Sequence, residues 1–411
     1  AITTAAGFND LQISKSAGTL TAQGNLTITG ILTMSSGRFE LDVDTNATPL
    51  THSAGSVVAN GGVLDLSVAT LTVSGDVTIN GGDSAAGTID MTASQAGVVA
   101  LNVGGSVTIG SGTYAGTLDM TGSSAVIEVS GDWTDSGEFN PGSGKVKIVG
   151  SGNSTIQASG SGDFNDLEIA KGAEDARVNL SSNVGIGGNL EVTAGILNLS
   201  DGASTPTYYT VAVTGAVTVD DGTDDFTAGA VDAEVEIGDG TFDVEGDVLV
   251  NGYGGLDWGS GTGLMACAGN VDVDGSVTAG SGTLRFDGAV ASVTFGAGGE
   301  SWNVVEVSKS GGTEQVTVTG GESLTAGTIR VVSGILKLQS GSHRAGELDV
   351  QAGGVLDVRD SASAAVLRVN DTAVDVAGEL KLGDRAQVEF ADTASVTVSG
   401  KLTANPADLA V

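Results

Sequence analysis

Apolar and polar residues alternate with a period of two along most of the chain. Leu26-Thr27-Ile28, Leu167-Glu168-Ile169, Val305-Glu306-Val307 and Val316-Thr317-Val318 are typical. Successive side chains of an extended strand point to opposite faces, so such a run sends its aliphatic residues to a core and its polar residues to water. The runs are short. Gly, Asn, Asp and Ser end them, as in SGDVTINGG (74–82), GGSVTIGSG (104–112) and AGNVDVDGSVTAGSG (268–282). These residues supply the positive φ angles and side-chain-capped turns that bend a chain. No stretch carries a convincing helical period, and its flanks place AGVVALNV (96–103) with the strands. The pattern predicts roughly forty short strands with a turn every 8–12 residues or so.

A longer period lies over the short one. GFNDLQISKS (7–16), SGDFNDLEIAKG (161–172) and ESWNVVEVSKS (300–310) are variants of one phrase. The text that follows each is also shared: GNLTITGILTMSSG (24–37), GGNLEVTAGILNLSDG (187–202) and GTIRVVSGILKLQSG (327–341). The chain therefore reads as three diverged modules, 1–162, 163–300 and 301–411. They are longer than a typical sandwich of about 100 residues. Asn-Gly hairpin dipeptides are scarce, and many strands end in a lone Gly. These features predict an all-β, elongated β-solenoid (a parallel β-helix) with coils of roughly 20 residues, hence about 20 coils. A tandem array of β-sandwiches is the alternative.

In each copy of the phrase an aromatic comes first: Phe8, Phe164 or Trp302. Two aliphatics two residues apart follow: Leu11 and Ile13, Leu167 and Ile169, Val305 and Val307. Alternation points these inward and Gln12, Glu168 and Glu306 outward. The aromatic is expected to plug a wide coil. The closing Lys15, Lys171 or Lys309 is expected to sit over outward acids or face water.

Taken together, the phrase and the Gly-Asn-Leu-x-Val-x-x-Gly-x-Leu-x-Leu text resemble the repeats of large exported prokaryotic surface proteins. These are β-solenoids of the adhesin-like, autotransporter-passenger-like and filamentous-haemagglutinin-like kind. The resemblance spans nearly the whole chain as a style of repeat and carries no catalytic motif. It implies an extracellular or cell-surface protein.

Composition agrees with thin, repetitive layers. Gly is 66 of 411 residues, aromatics are 4%, and Asp plus Glu number 50 against 16 Lys plus Arg, a net charge of −34. That charge repels nucleic-acid phosphates and anionic membrane surfaces and invites cations. No nucleic-acid partner and no membrane insertion are expected, and no apolar run is long enough to span a bilayer. The lone cysteine, Cys267 in LMACAG, reads as a small buried core residue. The chain opens on Ala1 rather than Met, which suggests a processed, exported chain or a piece of a longer one.

Candidate chemistry is sparse. NPGSGKV (140–146) fails as a phosphate loop, because Phe139 stands where the first Gly is needed and Val146 where Ser or Thr is needed. Asp220, Asp221, Asp224 and Asp225 share one Gly-containing loop that could offer calcium some of its hard oxygen ligands; a solvated acidic loop is the alternative. His52 and His343 lie far apart in polar, loop-like text, and neither zinc spacing nor a nucleophile elbow occurs. The chain is expected not to be an enzyme. Asn25, Asn46, Asn153, Asn179, Asn198 and Asn370 head Asn-x-Ser/Thr triplets that could carry glycans on an exported chain.

The expected role is mechanical: a structural subunit of an extracellular filament or surface layer, polymerising by end-to-end stacking of coils. Residues Ala1 and Ile2 at one terminus and Leu409 and Val411 at the other are the expected joint, and copies of the same chain are the expected partners. A monomeric adhesin stalk, or a glycan- or host-binding surface protein, is the alternative.

Overall fold

A computed structural model describes residues 2, 6–42, 49–81, 85–158, 163–220, 231–359, 364–370, 373–383, 386–391 and 395–404. The described residues form 41 strands and no helix, and no helix is long and apolar enough to cross a membrane. They fall into two compact units, Ala1–Val211 and Ala212–Val411.

Each unit is a β-solenoid of stacked parallel coils. In the first, one face runs Thr27, Ser53, Thr72, Asn102, Glu128, Lys147, Glu168 and Glu191, each in parallel register with the next. A second face runs Thr33, Val58, Thr78, Thr108, Thr134 and Gln157. A third runs Arg38, Val63, Thr88, Thr117 and Glu138. A coil is thus three short strands, such as Thr70–Val73, Val77–Ile79 and Gly87–Asp90. The second unit repeats the arrangement along Asp243, Ala266, Arg285, Glu306, Arg330, Asp349, Asp375 and Thr397.

Coils are longer and less regular than expected. From Ser53 to Thr72 the chain advances 19 residues, and from Thr72 to Asn102 it advances 30. The chain therefore makes about 16 turns, not 20. A face needs only three to five residues per coil; turns of any length can join the faces.

The core is the inward row of each face. Leu64, Ile89 and Leu118 are fully buried one above another, as are Val77, Val107 and Trp133. Full burial of such a side chain contributes roughly 1.5–3 kcal/mol.

The glycine excess is explained at the corners. Gly75, Gly105 and Gly131 stack, each donating its N–H to the carbonyl of the glycine below (Gly55, Gly75 and Gly105) at 2.7–3.0 Å. A Cβ on any of the three would lie 2.8 Å from that carbonyl oxygen, too close for a side chain. Corner carboxylates, amides and hydroxyls tie the coils further. Asp76 Oδ1 accepts from Ser106 N at 2.9 Å, Ser106 Oγ from Asp132 N at 3.0 Å, and Asp132 Oδ1 from Thr155 N at 2.8 Å.

Candidate functional site

The second and third copies of the repeated phrase, one in each unit, bring aromatic, acidic and lysine side chains together. Phe164, 1% exposed, lies 5.6 Å from Trp133 and 6.0 Å from Phe139, which meet each other at 4.9 Å. Trp302, 4% exposed, lies 5.5 Å from Phe295 and 6.3 Å from Trp258, and Phe286 extends the cluster at 5.0 Å from Phe295. Aromatics from successive coils thus gather around the phrase, each edge-on contact adding about 0.5–1.5 kcal/mol beyond area burial. Phe8 is half-buried. Of the aliphatics, Ile13, Leu167, Ile169, Val305 and Val307 are buried and Leu11 half-buried.

The outward glutamates sit inside ion ladders. Lys145 reaches Glu168 at 3.0 Å and Glu191 at 2.6 Å, and Lys147 reaches Glu168 at 2.9 Å. Arg285 and Arg330 hold Glu306 at 2.7 and 3.2 Å, and Arg330 also reaches Asp349 at 3.2 Å. Burial works against ionisation of Glu168, but hydrogen bonds and charge from Lys147 and Lys145 win and hold it below the usual glutamate range. Glu168 and Lys145 also line an open groove of about 460 Å³ with Lys147, Glu128 and Asp166. Gln12, in the first copy, donates instead to Ser35 Oγ at 2.9 Å.

The lysines overturn the expectation of a solvated end. Lys171 and Lys309 are each 2% exposed. Lys171 Nζ donates to the Val149 carbonyl at 2.6 Å and to Ser154 Oγ at 3.0 Å. Lys309 Nζ donates to the Ala268 carbonyl at 3.2 Å and to the Asp287 carbonyl. Burial pushes the Lys171 ammonium down to about 8, against an opposing pull from Asp132. It lowers Lys309 too, with Asp287, Cys267 and Glu314 opposing. Lys15 stays half-exposed and donates to the Thr19 carbonyl at 3.1 Å. Parity carried the signal: residues 167, 169 and 171 share one side of a strand, as do 305, 307 and 309.

A left-handed glycine lies over each lysine one coil on. Gly37, Gly195 and Gly334 have φ of 82°, 80° and 80°, and a Cβ there would come within 2.6–2.8 Å of the lysine Cβ. This places Gly37, not Gly30, in the station of Gly195 and Gly334. Gly30 corresponds instead to Gly188: their N–H groups donate to Asn9 O at 2.6 Å and Asn165 O at 2.8 Å. Asp10 and Asp166 in turn accept from Ile31 N at 2.9 Å and Asn189 N at 2.8 Å. The two Gly-Ile-Leu triplets at 30–32 and 195–197 are look-alikes in different places.

The other sequence candidates are dispersed. Asp220 is fully buried; its Oδ2 accepts from Tyr253 N at 3.1 Å and its carbonyl from Asn251 Nδ2 at 2.6 Å. Asp221, Asp224 and Asp225 lie outside the described residues, as do Asn46, Ala1, Leu409 and Val411. Ile2 bridges Ala22. Sequence reading missed Glu234, Glu236 and Asp257, whose carboxylate oxygens lie within 4.8 Å of one another; Glu236 and Asp257 meet only because coils stack them in register. Among the sequons, Asn25, Asn153 and Asn370 are exposed and Asn179 is half-buried, whereas Asn198 is buried and spends its Nδ2 on Asn179 Oδ1 at 3.0 Å. Cys267 is buried, and burial pushes its thiol up to about 12. His52 and His343 lie in the interior, at 3% and 0% exposure, not in loops.

Compared with known proteins, the chain matches no family model, no curated sequence and no solved structure.

Proposed function

We propose that the chain is a structural subunit of an extracellular filament or cell-surface layer, joined to its copies end to end by stacked coils. The carrying observation is in the second unit. Val374, Val376 and Leu380 are 2%, 0% and 4% exposed, and Val396, Val398 and Leu402 are in register with them on the next coil. Those three are 41%, 39% and 46% exposed. Strands Ala386–Phe390, Ser395–Val398 and Lys401–Ala404 pair on one side only among the described residues. Among the described residues, such an edge leaves backbone groups without a strand partner beside an apolar row, a template for a further parallel strand.

In this reading a coil from a second copy supplies the cover, burying side chains worth roughly 1 kcal/mol each. A contact between unlike ends does not close on itself, so it propagates as a fibre. The proposed role is mechanical rather than catalytic. Glycine corners, Asx bridges and ion ladders all act between successive coils, which supports it.

Sedimentation and electron microscopy test this. The chain should form long polymers, and the double variant V396D/V398D should remain monomeric with an unchanged β-type circular dichroism spectrum. A wild-type chain that stays an elongated monomer sinks the proposal and favours a surface stalk.

A further inference from the structure

The chain contains two histidines, and they occupy one station of the repeat. His52 Nδ1 accepts from Leu26 N at 3.2 Å, and His343 Nδ1 accepts from Leu324 N at 3.2 Å. His52 Nε2 faces the Leu41 carbonyl at 2.8 Å, and His343 Nε2 faces the Gln339 carbonyl at 2.9 Å. Two residues on, Ala54 and Ala345 are buried. Next come Gly55 and Gly346, where a Cβ would lie 2.5–2.6 Å from backbone oxygen of the coil below. The same station recurs once more without a histidine. Thr51 N donates to Asn25 Oδ1 at 3.2 Å and Thr210 N to Asn183 Oδ1 at 2.9 Å. The residue after each threonine is His52 in one case and Val211, 1% exposed, in the other. Packing alone is therefore satisfied by valine.

What histidine adds is a pair of bonds with fixed polarity. A carbonyl can only accept and a backbone N–H can only donate, so each ring must be neutral with its proton on Nε2. A second proton would put N–H against N–H at Nδ1 and leave a charge in the core. We propose that His52 and His343 are matched acid-sensitive latches, one in each unit, holding neighbouring coils as neutral imidazoles and releasing them on protonation.

The surroundings favour the neutral form. Burial pushes both rings below the usual histidine value, and the Leu41 and Gln339 carbonyls oppose this only in part. Asp42, which accepts from Leu50 N at 2.8 Å, is the ionisable group that acts on His52. The coil on the far side puts buried Leu71 in register with His52 and buried Leu367 in register with His343. The charged residues beside His343, Arg344 and Arg368, stand on the alternate side of their strands. A group whose folded pKa is depressed below its unfolded value of about 6.5 gives stability that is complete above that pH. It is lost as pH falls from there toward the folded value. Ordinary carboxylates titrate near 4; burial raises Asp65, Asp272 and Asp287, so between about pH 6.5 and 5 the histidines are isolated by comparison with a chain that lacks them.

Hydrogen exchange of the intact chain, corrected for intrinsic rate, tests the proposal at about pH 7.5 and pH 5. Peptides containing Leu26 and Leu324 should lose protection at least about tenfold at the lower pH. In H52V/H343V, patterned on Val211, their protection should not change with pH over that range. Unchanged wild-type protection, or an equal loss in the variant, overturns the proposal. Imidazole nitrogen NMR of the wild type needs no variant. It should show both rings as the Nε2–H tautomer below pH 6.5, and titration at the free-histidine value would also overturn it.

Discussion

Lys171 is the sharpest place to test the energetics of the repeated phrase. The residue is 2% exposed, and burial brings its ammonium from 10.5 to about 8. At about 1.36 kcal/mol per unit, the difference corresponds to roughly 3 kcal/mol. The folded pKa lies below the unfolded one, so this stability is absent below about pH 8 and accrues as pH rises to 10.5, where the unfolded chain too gives up its proton. Lys171→Met keeps the length, removes the charge and forfeits the bonds to Val149 O and Ser154 Oγ. Leaving a buried acceptor unpaired costs about 1–3 kcal/mol. Near pH 7.5 that loss and the relief of a buried charge offset one another, so the two proteins should unfold at similar denaturant concentrations. Near pH 10.5 the wild type should lead by about 3 kcal/mol. Tryptophan fluorescence reports the transition, since Trp133 shares the first unit and touches Phe164. Other lysines titrate equally in both proteins and cancel. A wild-type-minus-variant difference that stays flat from pH 7.5 to 10.5 would refute a buried, depressed Lys171.

Further outcomes follow from the corners, ladders and clusters. Gly105→Ala puts a methyl 2.2 Å from Asp76 Oδ1 and 2.8 Å from Gly75 O, so thermal unfolding should show a loss of about 1–3 kcal/mol; an unshifted melting temperature would contradict the corner packing. Glu306→Gln removes the carboxylate shared by Arg285 and Arg330. It should destabilise by about 1–2 kcal/mol at low salt and by less at about 1 M salt, and a salt-independent penalty would mean that the ladder is not electrostatic. Trp302→Phe should cost under about 1.5 kcal/mol, because Trp302 Nε1 has no hydrogen-bond partner among the described residues and phenylalanine fills this place in the other copies. A loss comparable to Trp302→Ala in denaturant titration would show that the indole N–H matters.

Period-two alternation was enough to read the strands and the buried residues Leu167, Ile169, Val305 and Val307, because side-chain direction follows from strand geometry alone; the solenoid was read from module length, scarce Asn-Gly hairpins and lone closing glycines. The same parity pointed Lys171 and Lys309 inward. The habit of placing charge in water concealed it, since only three-dimensional neighbours show that carbonyls and Ser154 receive the ammonium. The ion ladders were illegible for a different reason. Arg285 meets Glu306, 21 residues on, and Glu306 meets Arg330, 24 further on, only after coil length is known, and that length varies. Uneven coils also misled the alignment of the two Gly-Ile-Leu triplets, which textual similarity matched and stacking separates. The histidines read as loop residues because their neighbours are polar, yet those neighbours belong to outward rows and corners.

Unequal turns between equal faces have a consequence for how such a chain can change. The step from Thr72 to Asn102 holds 11 more residues than the step from Ser53 to Thr72 (30 against 19), yet both preserve register. Extra sequence is absorbed at an edge without shifting any rung. Lineages can thus elaborate protruding segments by insertion while the stacked wall stays fixed, and a foreign peptide grafted into a long connection should be displayed without loss of the scaffold.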